Sequence, residues 1–199
     1  MNVVFDIGNV LLRWDPRFLY RKVFDDEEKI EWFLTHICSP EWNLEQDRGR
    51  TFDEGVQHLA AKHPEYTEEI SAYHTRWHET VPGLIEGTVD ILEQLSAQGT
   101  PLYAITNFSV EKFAETRARY DLFRRFRDIL VSGEVRLIKP DPAIYQLFLE
   151  RNHLSAESCL FIDDSEKNVA GAKAVGMKAV HFRSPEILRD DLRCEGLFA

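Results

Sequence analysis

The sequence predicts an α/β protein: a parallel five-stranded sheet with helices on both faces, and a block of helices inserted after the first strand. Three observations carry this. Short apolar runs recur at residues 3–5, 101–106, 128–131, 159–163 and 178–182, each bounded by turn residues. Stretches whose apolar positions repeat at helical spacing separate the later runs, and strands alternating with helices give a parallel sheet covered on both sides. Residues 17 to 80 carry helical patterns and no strand pattern.

Taken in order, Val3, Val4 and Phe5 form a β-favouring run too short for a helix, ending at Asp6. Ile7-Gly8-Asn9 breaks it. An acidic residue at the C-terminal tip of a central strand lies where open α/β sheets bind ligands. Arg13-Trp14-Asp15-Pro16 reads as a loop leading into helix. Asp25-Asp26-Glu27 puts acid at a helix N-terminus, ahead of Ile30, Phe33, Leu34 and Ile37. Ser39-Pro40 ends that helix. Thr51 and Glu54 form a capping box that leads into Val56, Leu59 and Ala60. Thr67-Glu68-Glu69 starts a further helix carrying Ile70, Tyr73, His74 and Trp77. Such a helical block reads as a lid over the strand tips, with Val81-Pro82-Gly83 as the hinge back.

Ile85, Val89, Leu92 and Leu95 then mark a helix stopped at Gly99. After the second strand, Ser109 caps a helix to about Tyr120; Pro142 starts one holding Ile144, Leu147 and Phe148. A helix from Ser165 ends at Gly176, and Pro185 starts the last.

The composition narrows the partners. A net charge of −10 argues against nucleic acid and anionic membranes, which need clustered cations. The basic run Arg117, Arg119, Arg124, Arg125 and Arg127 reads as a solvated helix face. A small phosphorylated metabolite stays compatible, because a bound cation and one lysine reverse the field locally. Three cysteines without a CxxC pair argue against structural disulfides or zinc, and fit a reducing, cytoplasmic setting. The chain enters its first strand within two residues, so no signal peptide is expected, and no apolar run is long enough to span a bilayer. A monomer or weak dimer is expected.

Four stretches carry chemistry: Asp6 after the first run, Thr106-Asn107 after Leu102-Tyr-Ala-Ile, Lys139-Pro140 after Val135-Arg-Leu-Ile, and Asp163-Asp164 after Cys159-Leu-Phe-Ile. Each alone is ordinary turn chemistry. In this order, and each at a strand tip, they resemble the haloacid dehalogenase (HAD) superfamily, over essentially the whole chain. The resemblance implies a Rossmann-like core of residues 1–14 and 82–199, and a helical C1 cap of residues 15–81. With right-handed crossovers it implies strand order 3-2-1-4-5, with Asp6 central.

The resemblance further implies a hydrolase, most simply a phosphomonoester phosphatase. Asp6 would be the nucleophile and form an aspartyl-phosphate. Mg²⁺ would be held by Asp6, the Gly8 backbone carbonyl, Asp163 and Asp164. Thr106 and the Asn107 backbone would donate to phosphate oxygens, and Lys139 would neutralise charge. Asn168, one helical turn past Asp164, is a candidate to face the same site. Arg13, Trp14, Asp47 and Arg48, near the cap entry or in the turn after Glu45, are candidates to contact substrate, arginine suiting an oxyanion and tryptophan a sugar face.

Gly8 departs from the pattern, because most phosphatases of the family carry a second Asp there as general acid and base. The Asp-x-Gly-Asn-Val form resembles a subgroup that includes a bacterial α-D-glucose-1-phosphate phosphatase, which points to sugar 1-phosphates. A cap residue, a metal-bound water or a better leaving group would then replace the acid. Two alternatives stay open: a 2-haloacid dehalogenase using the same nucleophile, and a non-catalytic phospho-ligand binder. The paired carboxylates Asp163-Asp164 weigh against the first, since they repel a carboxylate substrate. Joint retention of Asp6, Lys139 and Asp163 weighs against the second.

Overall fold

A computed structural model describes residues 1–198. The chain begins with strand β1 (Asn2–Phe5) and a two-residue strand β2 (Leu12–Arg13), followed by five helices: α1 (Arg17–Tyr20), α2 (Glu27–His36), α3 (Pro40–Asp47), α4 (Phe52–Lys62) and α5 (Thr67–Thr75). After β3 (Gly83–Leu84), helices and strands alternate: α6 (Glu86–Ala97), β4 (Leu102–Thr106), α7 (Val110–Arg119), β5 (Asp128–Val131), α8 (Ser132–Val135), α9 (Pro142–Asn152), β6 (Cys159–Asp163), α10 (Glu166–Ala174), β7 (Lys178–His181) and α11 (Pro185–Cys194).

The main sheet runs β5-β4-β1-β6-β7, all parallel, which is the expected 3-2-1-4-5 order of its strands. β1 is therefore central, with Phe5 paired to Ala104 on one side and Ile162 on the other. Val3, Val4 and Phe5 are fully buried because the sheet is covered on both faces. All three chemistry-bearing strands end at the same edge, which brings Asp6, Thr106 and Asp163 together.

Local signals set the helical block. Ser39 accepts from the Trp42 N–H with Pro40 at the first helical position, so the pair that ends α2 also starts α3. Both halves of the Thr51–Glu54 capping box form. A cluster of buried aromatics ties this block together: Tyr20, Phe24, Phe33, Trp42, Phe52 and Tyr73 pack ring against ring, with centroids 4.8–6.2 Å apart.

Two features differ from the sequence reading. The run at 135–139 is not a strand. Residues 132–135 turn as helix, Arg136 takes a left-handed conformation (φ 57°), and Val135 and Leu137 pack against the core instead of pairing in the sheet. Lys139 thus sits in a loop before α9, not at a strand tip. The second is a short antiparallel ribbon of β2 and β3, which the sequence pattern does not signal: it joins Leu12 to Leu84 and Arg13 to Gly83, where the chain leaves and re-enters the sheet. Two-residue strands are too short to show a period. Among the described residues, no helix is long and apolar enough to cross a membrane.

Candidate active site

The site is built on the ends of β1 and β6. Asp6 follows β1, and Asp163 is the last residue of β6; both are buried. Between them stands the Lys139 ammonium, 2.8 Å from Asp6 Oδ1 and 2.7 Å from Asp163 Oδ2. Its side chain is 1 % exposed. Asp6 Oδ1 also accepts from the Ile7 N–H at 2.7 Å. Asp163 is held further by the Ser165 N–H and by Asn168 Nδ2, which reaches both carboxylate oxygens at 3.0 and 3.1 Å. Asn168 therefore orients Asp163.

Lys139 reaches this place through long-range contacts. The Asn107 side chain clasps its backbone, accepting from the Lys139 N–H at 2.9 Å and donating to its carbonyl at 3.1 Å. On the other side α10 comes close enough that a Cβ at Gly171 would lie 2.7 Å from the Pro140 carbonyl, so only glycine fits there. Thr106, at the end of β4, is buried beside this clasp.

The electrostatics follow from burying three charges together. Burial pushes the Asp6 carboxyl up to about 7; Lys139 opposes the rise, while Asp163 and Asp164 add to it. Burial alone would lower the Lys139 pKa, but the two carboxylates outweigh it and hold the ammonium above its ordinary value. Burial and the neighbouring Asp163 also raise Asp164.

Carboxylate oxygens of Asp6, Asp163 and Asp164 lie within 4.8 Å of one another. One lysine does not neutralise three carboxylates. A hard, oxygen-seeking divalent ion such as Mg²⁺ suits such a donor set, so these residues fit the cofactor that the motifs imply.

Next to this cluster is a cavity of about 80 Å³. Gly8, Asn107 and Ser109 line it from the sheet side; Asn43, Asp47 and Phe52 line it from α3 and α4. Leu12, Trp14, Trp77, Val81 and Phe108 complete a mostly apolar wall. Of the residues expected to contact substrate, Trp14, Asp47 and Asn107 line the cavity. Arg13 and Arg48 do not: both are exposed, and Arg48 lies 3.7 Å from Glu45 at the surface. Asn43, Phe52 and Trp77 gave no sequence signal beyond helical periodicity. Phe108 and Ser109 could have been read as the direct continuation of Thr106-Asn107.

Comparison with known proteins agrees with this geometry. Residues 39–182 match the model of the haloacid dehalogenase-like hydrolase family. The sesquiterpene phosphatase astK of Aspergillus oryzae is 28% identical over 181 residues, covering 89% of this chain and 87% of that one. The phosphorylated carbohydrates phosphatase of Thermotoga maritima is 26% identical over 189 residues, covering 90% and 83%. Among solved structures, a HAD family enzyme of Bacteroides thetaiotaomicron, crystallised with magnesium and inorganic phosphate, superimposes with a TM-score of 0.70 at 21% identity, covering 92% of this chain and 94% of that one. At that identity the likeness is one of fold. The chain belongs to the haloacid dehalogenase-like hydrolase family.

Proposed function

We propose that this member of the family is a phosphatase that hydrolyses small phosphomonoesters through an aspartyl-phosphate formed on Asp6, with Mg²⁺ as cofactor. One observation carries the reading: a buried carboxylate at the tip of the central strand, ion-paired to a buried lysine, within reach of two further carboxylates. The named relatives support it, since both astK and the Thermotoga protein are called phosphatases.

In this reading Asp6, Asp163, Asp164 and the Gly8 carbonyl hold the ion. When bound, the ion offsets the repulsion between a carboxylate nucleophile and a phosphate dianion. Lys139 keeps Asp6 ionised and adds positive charge beside the transferring group. Ionised Asp6 attacks phosphorus as the bond to the organic oxygen breaks, and water then cleaves the acyl phosphate to restore Asp6. Thr106 and the Asn107 backbone donate to the phosphate oxygens. Residues 15–81 act as a cap that closes over the core formed by residues 1–14 and 82–199, so that reaction is shielded from bulk water.

Sugar phosphates are the first substrates to try, and 1-phosphates the first of these. A hemiacetal oxygen leaves more readily than an ordinary alkoxide, and Gly8 brings no acid. A second reading, a phosphomonoester with an apolar organic group, is favoured by one observation: Leu12, Trp14, Phe52, Trp77, Val81 and Phe108 wall the cavity. The test is phosphate release from sugar 1-phosphates, sugar 6-phosphates and prenyl-type monophosphates, with Mg²⁺ and with EDTA. Metal-dependent release abolished in Asp6→Asn is the expected result. No release from any substrate by the folded wild type would overturn the phosphatase reading.

A further inference from the structure

The cavity next to the carboxylate cluster poses a chemical question. At Gly8 there is no side chain to give a proton to a leaving oxygen, and a Cβ built there meets nothing within 4 Å. The space is open. Among the residues that line the cavity with Gly8, Asp47 is the one that carries an ionisable side chain.

Asp47 ends α3, and its position is set by the core. Its backbone carbonyl accepts from Ser132 Oγ at 2.6 Å, and the same Oγ accepts from the Phe108 N–H at 2.9 Å. Two residues on, Gly49 takes φ +101°, and a Cβ there would lie 2.8 Å from the Gly133 carbonyl. The turn after α3 is thus seated on α8, which directly follows β5 and is itself bonded to the loop after β4. The carboxyl itself is steadied by Asn43 Nδ2, 3.2 Å from Oδ2. Burial pushes it up to about 7, against the opposing pull of the Ser109 backbone N–H and of Lys139. A carboxyl in that range carries a proton for part of the time near neutral pH and can give it up, as an acid–base catalyst must.

We propose that Asp47 takes over the proton transfers for which Gly8 has no side chain. The inference rests on the reading of Asp6 as nucleophile. In the first step the bond from Asp6 to phosphorus forms and the bond from phosphorus to the organic oxygen breaks. The leaving oxygen keeps that electron pair and takes the proton of Asp47, departing as an alcohol. In the second step a water oxygen bonds to phosphorus as the bond to Asp6 breaks. The water gives its proton to the Asp47 carboxylate. Inorganic phosphate leaves, with Asp6 ionised and Asp47 protonated as at the start.

A general acid matters in proportion to the basicity of the leaving group, and this makes the test. Wild type and Asp47→Asn are assayed with Mg²⁺ on p-nitrophenyl phosphate, whose leaving group needs no proton, and on a sugar 6-phosphate, whose alkoxide does. The expected loss in kcat/KM, which reports the first step and not the second step common to both substrates, is about 10²- to 10⁴-fold on the sugar 6-phosphate and less than about tenfold on p-nitrophenyl phosphate, with the fall of the wild-type profile above about pH 7 gone and the rise that belongs to Asp6 kept. The ratio of the two losses is taken within one protein sample, so it does not depend on how much of the variant is folded. Equal losses on both substrates, or a change confined to KM, would overturn the role of Asp47 and leave the phosphatase reading standing. A folded wild type inactive on both substrates would overturn the two together.

Discussion

At the sheet edge the buried side chains that matter are charged, whereas in the helical block they are aromatic. Lys139 lies within 2.8 Å of both Asp6 and Asp163, and each of the three would be costly to bury alone. Tyr20, Phe33, Trp42, Phe52 and Tyr73 meet through ring faces and edges, and what they contribute is close-packed apolar volume rather than charge. The difference teaches how the labour is divided. The edge holds three charged groups in one arrangement through mutual attraction. The block supplies a shaped apolar wall, and a single acid, Asp47, passes from it into the cavity.

The contrast predicts different consequences of damage on the two sides, and the largest belongs to the edge. Asp6→Asn is expected to reduce phosphate release to background while thermal denaturation shows the fold intact. Retained turnover would mean that Asp6 is not the nucleophile.

Lys139→Met removes the cation between two buried carboxylates, at a cost of about 3–5 kcal/mol in urea denaturation at pH 8. The sign with pH follows from Asp6, whose folded value of about 7 lies above its ordinary 3.8. Stability from its neutral form is complete below 3.8 and is lost as pH rises through about 7. The cost of Lys139→Met should therefore be smaller at pH 5 than at pH 8. A cost independent of pH would show that the carboxylates do not repel in the folded state.

On the aromatic side, Phe33→Ala should also cost about 3–5 kcal/mol, but with no dependence on pH, because nothing ionisable is left unpaired. That absence is the sharper half of the contrast, and denaturation at pH 5 and pH 8 measures it. Gly49→Ala is expected to cost less, about 1–3 kcal/mol for strain and a close contact, and to lower kcat by displacing the turn that carries Asp47. Asp47→Asn should have the opposite sign on stability. Its neutral amide avoids the burden of ionising a carboxyl held near 7, so the variant should be more stable than wild type above that pH, by up to about 4 kcal/mol, and equal to it below 3.8. Arg48→Ala, at an exposed pair with Glu45, should change stability by less than about 0.5 kcal/mol and leave KM within about twofold; a larger rise in KM would bring Arg48 back to the substrate.

The sequence by itself determined the five strands of the main sheet, most of the helices and three of the four chemical positions. An apolar run of three or four residues that stops at a polar one marks the C-terminal end of a buried parallel strand. Asp6, Thr106 and Asp163 could therefore be placed at one edge once the strand order was known. Ser39-Pro40 and the Thr51–Glu54 box were legible for a similar reason, since helix caps are formed by neighbours in sequence.

Only the tertiary structure decided what depended on distant contacts. Lys139 is delivered by Asn107, 32 residues away, and by the close approach of α10 at Gly171, not by a strand. The β2–β3 ribbon joins residues some seventy positions apart. Asp47 and Arg48 are adjacent in the same turn, yet one side chain enters the cavity and the other points to solvent. Local periodicity records which face of an element is apolar. It does not record which polar side chain of a turn is carried inward when that turn is seated on Ser132 and Gly133, because the seating is a property of the packed molecule.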